Sequence, residues 1–188
     1  MILRDLHASP PYQVILADPP WAYSGDPNKD QAAGKHYALL STEDIVSTVP
    51  MRTLLAKEGV LYLWATSPKL DQAFRCGEAW GLRYIGVAFV WVKTTKEGKI
   101  IHGQGVRPTV TKPTTELVLA FSYTKRGRPL PILDESVGQV VTAPRGRHSE
   151  KPSEVMRRIE LLHGDVRRLE LFARSERPEW DAWGNEVE

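Results

Sequence analysis

The sequence predicts an α/β fold in which helices cover both faces of a central sheet. Short apolar runs, rich in β-branched and aromatic residues, alternate along the chain with segments of helical periodicity. The first run, Tyr12–Ala17 (YQVILA), has the length and continuous apolar character of a buried strand. Ligands of such sheets bind at the carboxyl ends of the strands, so the residues that follow each run are candidate site residues.

Two helices and a second strand are predicted in the first half of the chain. Ser41–Asp44 (STED) matches a capping box and predicts a helix that runs towards Leu55. The run Gly59–Thr66 (GVLYLWAT) predicts a second buried strand. A helix should follow, because Ser67–Pro68 suits a capping residue and a first helical position, and Gly81 suits the helix end.

The second half of the chain predicts a further helix and several strands. Apolar positions recur with helical spacing over Ser153–His163, and Gly164 suits the end of that helix. Two polar segments without periodicity, Ser24–Lys35 and Thr94–Thr115, are long enough to be functional loops. Four apolar runs predict strands: Tyr84–Lys93, Glu116–Tyr123, Gln139–Ala143 and Arg167–Ala173.

Composition narrows the class of protein. A chain of 188 residues with 41% apolar and 26% charged residues suits one soluble domain. Cys76 is the single cysteine, which excludes an internal disulfide, and no Cys/His cluster indicates a metal site. Without a signal peptide pattern or a membrane-length apolar run, a cytoplasmic protein is expected. The net charge of +2 gives no general polycation, although Thr124–Arg128 and Pro144–Lys151 are locally basic.

The first strand leads directly into Asp18-Pro19-Pro20-Trp21 (DPPW). Two prolines fix the backbone of the turn, so that the Pro19 carbonyl becomes a rigid acceptor beside the Asp18 carboxylate. Trp21 offers an aromatic face for stacking. Two acceptors beside an aromatic plate are complementary to the exocyclic amino group of a planar base. On these residues alone, an amino-group site and an ordinary strand exit around a core tryptophan are equally compatible.

Six segments together resemble the adenosine-N6 methyltransferases that modify messenger RNA and their bacterial and phage relatives. They stand in that family's order and cover nearly the whole chain. The segments are DPPW, HYALLSTEDI (36–45), the strands LYLWAT and FVWVK, RGRHSEKPSEVMRRIE (145–160) and LELFARSERPEWDAWGNE (169–186).

The resemblance implies a single methyltransferase domain over residues 1–188 with a Rossmann-like fold. The sheet would be mixed but mostly parallel, and the chain order circularly permuted, with the catalytic motif first and the cofactor strand last. A GxGxxG fingerprint after the first strand is therefore not expected, and the sequence has none there. The implied activity is transfer of a methyl group from S-adenosyl-L-methionine to the N6 amino group of adenine.

Residue roles follow from the matching motifs. Asp18 and Pro19 would accept hydrogen bonds from the adenine amino group, Pro20 would stiffen the turn, and Trp21 would stack on or wall the base. Lys151 would pair with the methionine carboxylate of the cofactor. The implied cofactor-binding set is Asp5, Leu6, Asp18, Lys151, Glu170, Arg174, Arg177, Asn185 and Glu186, of which Arg174, Asn185 and Glu186 would approach the ribose.

The expected macromolecular partner is nucleic acid, with DNA favoured because the small chain resembles the bacterial and phage members. RNA as the substrate, and an inactive nucleic-acid-binding subunit, are the alternatives. Asp18 argues against cytosine, for which serine is the common residue at this position. A protein partner or a homodimer is compatible with the sequence. Candidate substrate contacts are Tyr23, Tyr37, Arg145, Arg147 and His148.

Overall fold

The computed structural model describes residues 11–22, 39–102, 110–146, 150–185 and 187. These residues contain seven strands and four α-helices. The strands are β1 (Tyr12–Ala17), β2 (Leu55–Thr66), β3 (Arg83–Thr94), β4 (Thr115–Ser122), β5 (Val140–Pro144), β6 (Arg168–Leu171) and β7 (Asp181–Trp183). The helices are α1 (Thr42–Thr48), α2 (Met51–Leu54), α3 (Leu70–Ala79) and α4 (Ser153–His163).

The strands form one sheet in the order β5-β3-β4-β2-β1-β6-β7. Four neighbouring pairs are parallel, namely β1 with β2 and with β6, β6 with β7, and β3 with β5. Strand β4 is antiparallel to both of its neighbours. The predicted mixed, mostly parallel sheet is therefore confirmed. Because β4 runs the opposite way, its amino end lies at the same edge as the carboxyl ends of the other strands.

Alternating strand residues pack against helices on opposite faces of the sheet. Leu61 and Leu63 belong to one buried cluster, which also contains residues of α1, α2 and α3. Tyr62 and Trp64 belong to a second cluster, which contains residues of α4. This period of two is what strand geometry requires of a sheet that is buried on both sides. The prediction that helices cover both faces is confirmed.

Several predicted boundaries agree with the structure. Strand β1 and helix α4 have the bounds read from the sequence, and Gly164 ends α4 with a φ of 65°. Gly81 follows α3 with a φ of 75°, a conformation that glycine adopts at low cost. The Ser41 hydroxyl accepts a 3.1 Å hydrogen bond from the Asp44 backbone N–H, which confirms the capping box. Strand β7 was not predicted.

Two predicted helix boundaries were wrong. The helix that begins after Ser41 ends at Thr48 instead of running to Leu55, because Val49 is extended, as residues before a proline usually are. A separate turn, α2, follows Pro50, and Leu55 already belongs to β2. Ser67 does not cap α3, since it opens a single 3₁₀ turn, Ser67–Lys69, that precedes the helix. No helix in the described ranges is long and apolar enough to cross a membrane.

Candidate active site

The turn after β1 has a fixed geometry. The Trp21 backbone N–H donates a 2.8 Å hydrogen bond to the Pro19 carbonyl, which closes a three-residue turn around Pro20. The Pro20 carbonyl accepts a second bond, of 2.9 Å, from the Leu40 N–H. A carbonyl oxygen has two lone pairs, so the bond from Trp21 leaves the Pro19 oxygen able to accept another donor. The turn therefore fixes the Pro19 carbonyl in the residue that follows Asp18, while its role as an acceptor beside the Asp18 carboxylate stays a prediction.

The buried Trp21 side chain anchors this turn in the core. Its side chain is 5% exposed and lies in the cluster that contains α1 and α3. The indole Nε1–H donates a 3.2 Å hydrogen bond to the Trp64 carbonyl on β2. This position agrees with the core tryptophan that the sequence left as an alternative. Contact between Trp21 and a base stays a prediction.

Ala22, the residue that follows Trp21, is held by a buried lysine that was not predicted as a site residue. Lys69 is 4% exposed, and its Nζ donates a 2.5 Å hydrogen bond to the Ala22 carbonyl. Burial lowers the pKa of Lys69, and Asp71 partly opposes this shift. Lys69 thus anchors the segment that leaves the motif. The only signal in the sequence is its place three residues after a predicted strand.

Asp18 lies at the carboxyl end of β1 in an ion pair with Lys151. The distance from Lys151 Nζ to Asp18 Oδ2 is 2.6 Å. The same ammonium lies 3.4 Å from Glu116 Oε2, and Lys93 Nζ lies 2.5 Å from Glu116 Oε1. We call these four residues the ion chain, because cations and carboxylates alternate along it. The side chains of these four residues are between 11% and 24% exposed.

The sheet topology explains this arrangement. Asp18 follows β1 and Lys93 lies near the carboxyl end of β3, whereas Glu116 lies at the amino end of the antiparallel β4. All three residues consequently lie at one edge of the sheet, and Lys151 reaches that edge just before α4. Lys93 and Glu116 were not predicted as site residues. Their signal is a charged side chain at the end of an otherwise apolar strand.

Burial and the ionic partners shift the pKa values of Asp18, Lys151 and Glu116 in different directions. Burial raises the pKa of Asp18, although the Lys151 ammonium opposes the shift. Burial also disfavours the charged forms of Lys151 and Glu116, but here the ionic partners prevail. The two carboxylates raise the pKa of Lys151, and the two ammonium groups lower the pKa of Glu116. Lys151 and Glu116 are therefore charged at neutral pH.

Two tryptophans lie beneath the ammonium groups of the ion chain. Lys151 Nζ lies 5.5 Å from the Trp64 ring centre, and Lys93 Nζ lies 5.1 Å from the Trp91 ring centre. The two indoles contact each other edge to face, with ring centres 6.3 Å apart. Aromatic faces attract cations, so this pair helps to fix both ammonium groups.

The carboxyl end of β6 adds further predicted residues. Arg177 Nε lies 3.9 Å from Glu170 Oε2, so these two predicted cofactor residues contact each other. Burial raises the pKa of Glu170, with Arg177 opposing the shift. Arg174 lies near enough to Asp18 for its charge to lower the pKa of that carboxyl. Phe172, which lies between Glu170 and Arg174 in the sequence, has a φ of 61°. Non-glycine residues rarely adopt this conformation, and it clusters at functional sites.

Strand β7 brings Asn185 to the same edge. The Ala173 N–H donates a 2.9 Å hydrogen bond to the Trp183 carbonyl. A Cβ on Gly184 would overlap the Ala173 carbonyl oxygen and lie 2.6 Å from the Ala173 nitrogen. Only glycine allows this approach, which places Asn185 and Arg174 directly after two touching backbone segments.

The remaining predicted residues divide into two groups. Arg145 follows β5 with an exposed side chain, and its backbone N–H donates a 3.0 Å hydrogen bond to the Thr94 carbonyl. It therefore lies at the site edge, on the β3 side. The others lie outside the residues that the structure describes: Asp5, Leu6, Tyr23, Tyr37, Arg147, His148 and Glu186.

Comparison with known proteins agrees with the motifs. The MT-A70 family model matches residues 12–186. The type II methyltransferase M.MunI of a Mycoplasma species is 34% identical, over 94% of this chain and 78% of its own length. Human METTL4, named an N(6)-adenine-specific methyltransferase, is 31% identical over 94% of this chain. The N6-methyladenosine RNA methyltransferase MTA1 of Pyricularia oryzae is 31% identical over 97% of this chain.

This chain spans different shares of the lengths of its relatives. It covers 37% of human METTL4 and 48% of the Pyricularia protein. The family match extends from the first residue of β1 to beyond β7 and so includes the whole described sheet. The chain therefore belongs to the MT-A70 family of adenine-N6 methyltransferases.

Proposed function

We propose that this protein transfers the methyl group of S-adenosyl-L-methionine to the N6 amino group of adenine in DNA. The observation that carries the proposal is the position of Asp18. It lies at the carboxyl end of a central strand, between the fixed Pro19 turn and the ammonium group of Lys151. Ligand sites of open α/β sheets lie at this edge.

The described groups suit methylation of an amino nitrogen. The lone pair of adenine N6 is delocalised into the ring, so the nitrogen is a weak nucleophile. Hydrogen bonds from its two hydrogens to Asp18 and to the Pro19 carbonyl would return electron density to it. They would also stabilise the positive charge that develops on N6 as the new carbon–nitrogen bond forms.

Lys151 helps to keep Asp18 in the form that this role requires. Burial favours the neutral carboxyl, whereas only the carboxylate accepts a hydrogen bond with a full charge. The ammonium group at 2.6 Å stabilises the carboxylate. A carboxylate has room for several donors, so Asp18 can bind Lys151 and a base amino group at the same time.

The donor set at the β6 edge fits the proposed cofactor. A methionine carboxylate needs a cation, and Lys151 and Arg177 are cations beside this edge. A ribose diol needs side chains that donate and accept, and Arg174 and Asn185 follow the touching segments of β6 and β7. The bound cofactor supplies a methyl group activated by a sulfonium. The protein residues orient that methyl group towards N6, and such orientation accounts for a large share of catalysis.

DNA is the proposed polymer. The relative that this chain spans most fully among those compared, at 78% of its length, is named a type II methyltransferase, a term used for enzymes that modify DNA. RNA is the second candidate, because the Pyricularia relative is named an RNA methyltransferase and aligns over 97% of this chain. Exposed cationic side chains at the site edge, such as Arg145, suit the phosphates of either polymer.

A substrate panel tests the proposal. The protein is incubated with methyl-labelled S-adenosyl-L-methionine and with duplex DNA, single-stranded DNA or RNA, and the modified base is identified by mass spectrometry. We expect N6-methyladenine, with the highest turnover on DNA. Higher turnover on RNA would reverse the choice of polymer. Bound cofactor without label on any adenine would contradict the enzymatic proposal.

A further inference from the structure

Lys93, at the end of the ion chain opposite Asp18, has no role in the chemistry described above. Lys93 Nζ lies 2.5 Å from Glu116 Oε1, whereas Asp18, the residue expected to contact the base, is at the far end of the chain. Lys93 is also anchored in the sheet, since its backbone N–H donates a 3.0 Å hydrogen bond to the Thr114 carbonyl. The pairing of β3 with β4 thus sets the position of Lys93 relative to Glu116.

Glu116 divides its two oxygens between two cations. Oε1 contacts Lys93, and Oε2 lies 3.4 Å from Lys151. The Glu116 side chain keeps only 11% of its exposure, so its charge depends on these partners rather than on water. Lys93 makes the shorter contact, and the charges of both ammonium groups lower the pKa of Glu116.

Lys151 divides its charge in the same way. Its Nζ is closer to Asp18 Oδ2, at 2.6 Å, than to Glu116 Oε2, at 3.4 Å. Removal of Lys93 would leave Glu116 with Lys151 as the remaining cation of the ion chain. The Lys151 ammonium would then be drawn towards Glu116. Its ion pair with Asp18, which opposes the rise in the pKa of that carboxyl, would weaken.

We propose that Lys93 is a positioning residue for methyl transfer, which acts through Glu116 to keep Lys151 beside Asp18. This inference rests on the proposed function of the site. The competing explanation is that Lys93 serves as an independent cation, for example by contacting a phosphate of the substrate. The two explanations differ in whether the effect of Lys93 requires the charge of Glu116.

A double-mutant cycle distinguishes them. Lys93→Met, Glu116→Gln and the double variant are compared with the unchanged protein in kcat/KM across pH. We expect Lys93→Met alone to lower kcat/KM about tenfold, equivalent to about 1.4 kcal/mol, and to move its acid limb to higher pH. In the Glu116→Gln background, Lys93→Met should have little further effect. An equal loss in both backgrounds would overturn the proposal.

Two control variants test whether the charge alone is sufficient. Lys93→Arg keeps a cation next to Glu116 and should retain the acid limb of the unchanged protein. Lys96→Met removes an exposed cation three residues further along the chain. It can weaken nucleic-acid binding but should leave the acid limb in place. A shift of the limb in Lys96→Met as large as that in Lys93→Met would contradict a specific role for Lys93.

A measurement on the cofactor-free protein separates this inference from the proposed function. The carboxyl carbon of Glu116 is followed by ¹³C NMR during a pH titration and assigned by its absence in Glu116→Gln. The Glu116 pKa, which both lysines lower, should rise in Lys93→Met and return towards its original value in Lys93→Arg. Identical titrations in all variants would overturn the role of Lys93. A protein that methylates no substrate but shows this shift would instead refute the proposed function.

Discussion

Lys151 Nζ lies 2.6 Å from Asp18 Oδ2, although the two residues are 133 positions apart in the chain. One of them follows the first strand and the other precedes the last helix, so the contact exists only after the sheet has assembled. It couples the residue expected to contact the base with the residue expected to contact the cofactor. The first two predictions follow from this pair.

Asp18→Ala should abolish methyl transfer while leaving the fold intact. The substitution removes the acceptor that would stabilise charge on N6, an effect of at least about 10²-fold in comparable sites. Lys151 keeps Glu116 as a partner, so the loss of stability should be modest. Turnover and thermal unfolding are measured together, with Asp18→Asn as the isosteric control. Turnover close to that of the unchanged protein would remove Asp18 from its proposed role.

Lys151→Met should make activity more sensitive to acid. Burial raises the pKa of Asp18 and Lys151 opposes that shift, so removal of Lys151 should raise the pKa of Asp18 further. Because the carboxylate is the active form, the acid limb of the kcat profile should move to higher pH. Lys151→Arg, which keeps the charge, is the matched control. An unchanged acid limb in Lys151→Met would show that Lys151 does not control the ionisation of Asp18.

His163 should make stability fall in mildly acidic solution. Its Nδ1 donates to the Pro131 carbonyl at 3.2 Å, so in the neutral ring Nε2 accepts the 2.8 Å hydrogen bond from the Tyr62 hydroxyl. Burial lowers the pKa of His163 below its ordinary value of about 6.5. As the pH falls through that value, the unfolded chain binds a proton that the folded protein does not, and the free energy of unfolding decreases.

Denaturant unfolding between about pH 7 and pH 5 measures this dependence. The slope contributed by His163 approaches at most about 1.4 kcal/mol per pH unit. His163→Gln removes the titrating group and should flatten the curve, even if the variant is less stable at pH 7. An equally steep curve in His163→Gln would assign the acid sensitivity to other residues.

Gly184→Ala should disturb both stability and the cofactor end of the site. The added methyl group would overlap the Ala173 carbonyl oxygen, which belongs to the backbone and cannot rotate away. We expect a loss of about 1–3 kcal/mol, as in other overpacked sites, together with weaker cofactor binding because Asn185 is displaced. Gly86→Ala is the control, since a Cβ there meets nothing within 4 Å. If thermal unfolding and cofactor titration gave the same result for Gly184→Ala and Gly86→Ala, the close approach of Gly184 to Ala173 would be unimportant.

Local sequence patterns predicted much of the fold. Strand β1 and helix α4 have their predicted bounds because each pattern is short, complete and ended by strong local signals, such as Gly164. The helix towards Leu55 failed because Pro50 interrupts it. Met51–Leu54 form the separate turn α2, and Leu55 begins β2. Strand β7 was missed because three residues carry too little periodicity to be recognised.

The sequence by itself determined the α/β class, the family and the place of Asp18 at a strand end, because these depend on residue order and local periodicity. Only the tertiary structure decided which charges meet. Lys93 and Glu116 are both marked as charged ends of apolar strands, but their contact requires β4 to run antiparallel between β2 and β3. Strand direction is set by packing across the whole sheet. The ion chain that ends at Asp18 is therefore a property of the assembled sheet rather than of any local motif.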